Sequence, residues 1–409
     1  MSVASVEEIR AHFPALSRIH AGERVAYFDG PGGTQVPLAV ADAMTEYLFE
    51  HNANTAWLYP SSIETDAVIA SARGAMADFV GGAPDEIAFG ANMTTLTFHI
   101  ARALGRTFAA GDEIVVTELD HHANVAPWVE TAREHALKVN VAPMRPHDGT
   151  IDLDALAALI TPRTRVVAVG AASNALGTIT DVARVVALAR SAGAITFCDA
   201  VHYAPHALVD VRALGCDLLA CSAYKFYGPH VGFVWGRRDL LASLDVPRLE
   251  PAPDNVPDRL ETGTLNHEGI AGAAAAVDFL ASLSRDKGTR RERLEATYTQ
   301  LHSRGRALFA RAWKALTSVP GVRLYGPPPD RPRTPTLCFS MESVPSDVVA
   351  RHLADRAVFA THGDFYAATV AERLGHARDG LVRAGCACYT TEAEVDRLVE
   401  GVRAIANAR

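Results

Sequence analysis

The chain has 409 residues, 49% of them hydrophobic and 21% charged, with 30 Gly and 22 Pro, which excludes collagen-like, coiled-coil and disordered classes. At roughly 150 residues per domain this length predicts two to three domains, large enough to fold without a disulfide or metal staple. The formal charge of −8, from 39 basic and 47 acidic residues with no basic patch, points away from nucleic acid and anionic membranes as partners.

The opening stretch, MSVASVEEIRAHFPAL, contains two glutamates and no apolar segment of the signal-peptide type. The longest runs without Asp, Glu, Lys or Arg are 15 residues, Ile87 to Ala101 and Val166 to Thr180. Both fall short of the roughly 18 apolar residues of a membrane-spanning helix. Six cysteines, most in apolar runs, fit a reducing compartment. A soluble cytoplasmic protein is therefore expected.

From residue 85 to 235 apolar β-branched runs alternate with helical patterns. Strands are predicted at Glu113 to Thr117, Val139 to Ala142, Arg165 to Val169, Ile195 to Cys198, Leu218 to Ser222 and Val231 to Trp235. Helices are predicted at Thr94 to Leu104, Trp128 to His135, Leu153 to Ile160 and Asp181 to Ala192. This alternation predicts an α/β fold with a mostly parallel sheet covered on both faces. In such sheets ligands sit beyond the carboxyl ends of the strands. The charged stretch Ser282 to Leu316 reads as one or two long helices. It is followed by a Pro-rich segment, a short strand at Thr336 to Ser340 and a helix at Thr391 to Ala406. The expected domains are an N-terminal segment at 1–20 packing with the small domain, a large domain at 21–285 and a small α+β domain at 286–409.

Asp199 follows the strand that ends at Cys198, and Lys225 follows the strand at Leu218 to Ser222. Taken singly, they read as a helix cap and a surface lysine. As a pair at one sheet edge they match the needs of pyridoxal phosphate, a lysine for the Schiff base and a carboxylate on the pyridinium nitrogen. Burial lowers a lysine pKa enough for the amine to be neutral during part of a cycle.

On these residues and several motifs in matching order, the chain resembles the class V aminotransferase and cysteine desulfurase family of fold-type I pyridoxal phosphate enzymes. The resemblance runs from YFDGPGGTQVP to the Arg383 segment. It implies a large domain with a seven-stranded sheet, a smaller C-terminal domain, pyridoxal 5'-phosphate as cofactor and an amino acid as substrate. ANMTTLTF resembles the family's phosphate turn, implying Thr94 and Thr95 at a helix N-terminus suited to a phosphate dianion. LDHHANVAPW implies that His121 stacks on the pyridine and serves in catalysis. A surface His pair or a metal site are the other readings, and no Cys or His at ligand spacing supports a metal.

SNALGT implies that Asn174 meets the cofactor's phenolic oxygen and borders the substrate. Ser222 and Lys225 match the phosphate and Schiff-base segment, and Arg383 matches the arginine that forks onto the substrate carboxylate. ETGTLN implies that Thr264 reaches the phosphate of another subunit, hence a homodimer with shared sites. Two cofactor contacts differ from the family pattern. Tyr224 stands where the family has a His, and His202 where it has a Gln; both can hydrogen-bond. The glycine cluster at Gly30 to Gly33 is weak as a nucleotide loop, and its family position borders the substrate pocket.

The largest departure lies in ATHGDFYA. Desulfurases of the family carry a nucleophilic Cys on this loop, and here Tyr366 takes its place. A phenol cannot carry a persulfide. The remaining readings are β-elimination at a C–S bond of a cysteine-derived substrate, transamination, or epimerisation with Tyr366 or His362 as a second acid. Elimination is preferred because it needs only Lys225 and Asp199. A non-catalytic binding member would be expected to lack one of that pair. A nicotinamide-dependent oxidoreductase would need a G-x-G-x-x-G turn after the first strand, and none is present.

Overall fold

The computed structural model describes residues 3–408. Seven strands form the main sheet: β1 (Ile87–Gly90), β2 (Glu113–Thr117), β3 (Lys138–Ala142), β4 (Thr164–Gly170), β5 (Ile195–Asp199), β6 (Leu218–Ser222) and β7 (Gly232–Gly236). Their spatial order is β1-β7-β6-β5-β4-β2-β3, parallel except for β7, which runs antiparallel to both neighbours. Side chains alternate strictly between two apolar layers, as a pleated strand requires. Val167, Cys198, Leu219 and Phe233 enter one layer, while Val166, Phe197, Leu218 and Val234 enter the other. Both faces are covered, so the strands read as continuous apolar runs rather than alternating ones.

Five helices close these layers. On the first face lie α1 (Pro60–Val80), through Met76 and Phe79, and the second face is filled by α2 (Met93–Gly105) and α3 (Ala126–Glu134), through Leu96, Ile100 and Trp128. The first face is completed by α4 (Val182–Ser191) and α5 (His267–Ser282). Neither α1 nor α5 is marked by a clean apolar stripe in the sequence, since each is rich in Ala. The charged stretch after Ser282 becomes one helix, α6 (Arg290–Thr317), which starts only where Thr289 and Glu292 form a reciprocal cap.

The C-terminal part holds a four-stranded antiparallel sheet of β8 (Val322–Tyr325), β9 (Thr336–Met341), β10 (Thr361–Gly363) and β11 (Leu381–Gly385), in the order β8-β9-β11-β10. It packs on the second half of α6, on α7 (Ser346–Ala354) and on α8 (Glu392–Asn407). Residues 26–28, which a boundary at 21 assigns to the large domain, lie with this unit. Ala26–Tyr27 pairs in parallel with Val358–Phe359, and Ala26 and Phe28 enter the C-terminal core. The segment before them touches both parts. Phe13 packs on Phe279 of α5, while Arg10 Nη1 donates to the Tyr389 carbonyl at 2.6 Å and pairs with Glu394. Strand β11 ends at Gly385, so Cys386 and Cys388 lie beyond it and enter different core clusters rather than one strand face.

No helix among the described residues is long and apolar enough to cross a membrane. Register places the strand ends that matter side by side. Asp199 pairs with Gly170 on one flank and Ala220 on the other, and Ser222 pairs with Gly232 of β7. Gly232 is required there because a Cβ would strike the backbone of Asn92 and Met93, with Met93 N at 2.7 Å. Gly232→Ala is therefore expected to destabilise the fold by about 1–3 kcal/mol, as overpacking does. Gly74→Ala, in open space within α1, should instead add about 0.5–1 kcal/mol through helix propensity. Urea unfolding midpoints of the two variants measure both signs.

Candidate active site

Beyond the carboxyl ends of β2, β4, β5 and β6 lies a cleft of about 750 Å³, lined among others by His121, Asn174, Lys225, Tyr366 and Arg383. A smaller cavity of about 40 Å³ continues inward, reaching Asp120, Asp199, His202 and Ser222. Lys225 sits in the single turn after β6. Its Nζ donates to the carbonyls of Pro31 at 2.5 Å and Gly32 at 3.0 Å. The glycine cluster thus borders the site and supplies lone pairs to the lysine. Gly32 and Gly33 both donate their amides to the Asp29 carbonyl, a tight turn that exposes the Pro31 and Gly32 carbonyls.

Burial brings the Lys225 pKa down to about 7; the like charge of Arg383 pushes the same way and Asp199 opposes it. Asp199 is buried, and its Oδ1 accepts from the Val201 amide at 2.9 Å. Burial raises its pKa to about 6, against the Val201 amide and Lys225. His121 accepts the Ala123 amide at Nδ1, 3.0 Å away, which leaves the proton on Nε2. Burial and the nearby Lys225 and Arg383 lower its pKa to about 4, so the ring is neutral near pH 7. His202 is held by the hydroxyls of Thr334 and Thr336 at 3.1 and 3.0 Å and is likewise pushed well below its ordinary value, first by burial.

At the N-terminus of α2, Ser222 Oγ accepts the Met93 amide at 3.0 Å, and Thr94 lines both the cleft and the inner cavity. Thr95 is not brought there. Its amide and hydroxyl both donate to Asn92 Oδ1, the helix cap, and it faces a neighbouring cavity that also contains Thr264. Within one chain, Thr264 therefore lies apart from Lys225. Tyr224 stacks on His230 with centroids 5.0 Å apart, and Lys225 Nζ lies 5.0 Å from its ring.

Arg383, on β11, reaches in from the C-terminal sheet. It donates from Nη1 to the Asn174 carbonyl at 3.0 Å and from Nε to Thr361 Oγ1 at 3.2 Å. Burial lowers its pKa to about 10, still leaving it charged. Tyr366 is 74% exposed at the mouth, tilted over His121 at 5.5 Å.

All six cysteines are buried, and none lines the cleft. Burial raises the thiol pKa of Cys338, Cys386 and Cys388 to about 12. Among the described residues no group of three His, Cys, Asp or Glu side chains is placed to hold a metal.

Sequence reasoning missed two residues. Asp120 is buried beside Asp199, accepting from the Gly170 amide at 2.9 Å and from Asn124 Nδ2 at 2.8 Å. Burial raises its pKa to about 7, and the negative charge of Asp199 adds to that against the Gly170 bond. Its signal was available, an acid directly before His121 in LDHHAN. Phe365, whose ring lies 4.3 Å from the Arg383 guanidinium carbon, left none.

Residues 26–398 match the model of the family described as aminotransferase class V. The chain belongs to this family. It is 32% identical to a cysteine desulfurase of Pectobacterium atrosepticum over 418 aligned residues, covering 98% of each chain. An apo cysteine desulfurase of Thermococcus onnurineus superposes with a TM-score of 0.89 at 26% identity, covering all of both chains. A cysteine desulfurase of Escherichia coli, in an S-sulfonic acid form, gives 0.85 at 29% identity, covering 100% of this chain and 99% of that one. This class V enzyme is thus desulfurase-like in fold and sequence and depends on pyridoxal 5'-phosphate.

The residues present fit that cofactor. Asn174 Oδ1 is buried at the cleft with no hydrogen-bond partner among the described residues, the buried Asp199 carboxylate lines the inner cavity, and the N-terminus of α2 faces the same cavity. Because only the neutral amine attacks an aldehyde, pyridoxal phosphate uptake by the apoprotein should accelerate with pH about a midpoint near 7. Stopped-flow absorbance across about pH 5–9, roughly two units either side of the midpoint, measures it. A midpoint above 9 would mean an ordinary, solvated lysine.

Proposed function

We propose that this enzyme catalyses β-elimination on a cysteine-derived amino acid, releasing a thiol. The observation that carries this reading is the cleft itself, which offers a lysine and a carboxylate but no cysteine, with Tyr366 at its mouth. When bound, the cofactor supplies an electron sink for negative charge at Cα.

Lys225 would hold the cofactor, and its neutral amine then takes the Cα proton. The Cβ–S pair leaves with sulfur as a Cα=Cβ bond forms, and water converts the released enamine to pyruvate and ammonia. Asp199 would keep a proton on the ring nitrogen, and His121 would lie against the ring. Asn174, His202 and Tyr224 would complete its polar surroundings. Thr94, Ser222 and the N-terminus of α2 would hold the phosphate. Arg383 would fork onto the substrate carboxylate through Nη2, which has no partner among the described residues. Tyr366, at the mouth of the cleft, would give a proton to the departing sulfur, and Tyr366→Phe would then slow turnover.

Incubation with S-methylcysteine should yield pyruvate, ammonia and methanethiol in equal amounts. A 2-oxo acid retaining the sulfur would instead mean transamination, and the D-amino acid would mean epimerisation. Asp199→Asn should retain the cofactor yet lose about a hundredfold or more in kcat, since the charge developing at Cα loses its fixed counterpart. Steady-state kinetics decide this, and activity within a few-fold of wild type would exclude Asp199 as the ring-nitrogen partner.

A second copy of the chain completes the site in this reading. Phe49 (80% exposed), Trp57 and Leu58 (96% exposed) form an apolar surface within residues 36–63, and Trp57 lines a cavity together with Thr264. Exposed large apolar side chains such as these would suit an interface. Pairing of two copies there would carry Thr264 to the partner's phosphate. Leu58→Asp should give monomers by light scattering and lower cofactor affinity; an active monomer would rule out shared sites.

A further inference from the structure

Phe365 and Tyr366 have φ of 59° and 57°, two consecutive non-glycine residues in the left-handed region. Bulky side chains pay for that conformation, and it persists only where surrounding contacts over-determine it. Here they do. The Phe365 carbonyl accepts from Asn174 Nδ2 at 2.8 Å and the Tyr366 carbonyl from the His122 amide at 2.7 Å. Asp364 closes the turn, taking the Tyr366 amide on Oδ1 at 3.0 Å and the Ala367 amide on its carbonyl at 2.9 Å. The loop that holds a nucleophilic Cys in the desulfurase pattern is thus tied down onto the two segments that bear His121 and Asn174.

This constraint brings the Phe365 ring against the buried Arg383 guanidinium, 4.3 Å from its central carbon. Three residues close on one another. Asn174 grips Phe365 with its side-chain amide and Arg383 with its backbone carbonyl, while Phe365 covers a face of Arg383. Thr361 holds Nε from the other side. A planar guanidinium clamped on one face and at two nitrogens has lost the freedom to swing, and both N–H groups of Nη2 with the second N–H of Nη1 are the donors it has left for a ligand.

We infer that Phe365 is a positioning residue, which with its strained loop presets Arg383 for the carboxylate of the amino-acid substrate. It acts through the orientation of the guanidinium and through Asn174. The inference rests on the reading of Arg383 as the carboxylate partner. It accounts for a side chain that sequence motifs left unassigned, and for the cost of two left-handed residues in a loop without a thiol.

The test compares two truncated analogues of S-methylcysteine on the holoenzyme by calorimetry. One is 3-(methylthio)propionate, which lacks the amine, and the other is 2-(methylthio)ethylamine, which lacks the carboxylate. Phe365→Leu removes the π face and should weaken the acid about tenfold, the range of a partly desolvated cation–π contact, while affinity for the amine stays within about twofold. Phe365→Tyr should restore acid binding. In steady state, Phe365→Leu should raise KM about tenfold with kcat nearly unchanged. Should the leucine variant not fold, Phe365→Met, flexible and of similar volume, carries the same criteria. Unchanged acid binding, or equal loss for acid and amine, would overturn the inference. Arg383→Gln separates the two levels. If it leaves acid affinity intact, the carboxylate reading of Arg383 fails; if it abolishes acid binding while Phe365→Leu does not change it, the reading stands and Phe365 is a packing residue.

Discussion

Asp199 ends its strand between Gly170, the last residue of β4, and Ala220, in the middle of the parallel β6, and the chemistry of the site depends on that alignment. It buries the Asp199 carboxyl at the base of the cavity and launches the chain from Ser222 into the turn that ends at Lys225. An amine enclosed near another cation, Arg383, loses much of its affinity for a proton, whereas a carboxylate facing that amine regains part of its charge. The two groups are therefore tuned against each other by position. The sheet can impose this because both its faces are packed, so a slip in register would expose a whole apolar layer.

The residues that the motifs single out by their chemistry are brought together by the fold. Asp199, Lys225, His121, Asn174 and Arg383 all meet at one cleft, although β11 lies 158 residues beyond Lys225 by the difference of 383 and 225. What escaped reading acts through geometry. Asp120 looks like the polar end of an apolar strand until folding places it next to Asp199, and Phe365 is an ordinary aromatic until Arg383 arrives beneath it. Thr95 shows the reverse. Its motif pairs it with Thr94, but Asn92 uses both its donors to cap the helix.

Larger features followed the same division. Six of the seven main-sheet strands were legible because two covered faces make most of their positions apolar; the short β1 (Ile87–Gly90) was not. The helices α1 and α5 were not, because alanine-rich helices buried broadly against the sheet lack a single stripe. Residues 26–28 crossed a domain boundary that composition could not reveal, because two-residue pairing with Val358–Phe359 depends on a strand distant in the chain.

Desulfurase-like architecture with all six thiols buried changes where sulfur can go. A buried thiol held near pKa 12, as for Cys338, Cys386 and Cys388, is a poor nucleophile, and none of the three lines the cleft. In the proposed reaction sulfur would leave in the product rather than on the protein. The most direct measurement is intact-protein mass spectrometry of enzyme quenched during turnover with S-methylcysteine and with cysteine. The account predicts an unmodified polypeptide while pyruvate accumulates. A sulfur adduct on any cysteine, forming as fast as product, would contradict it.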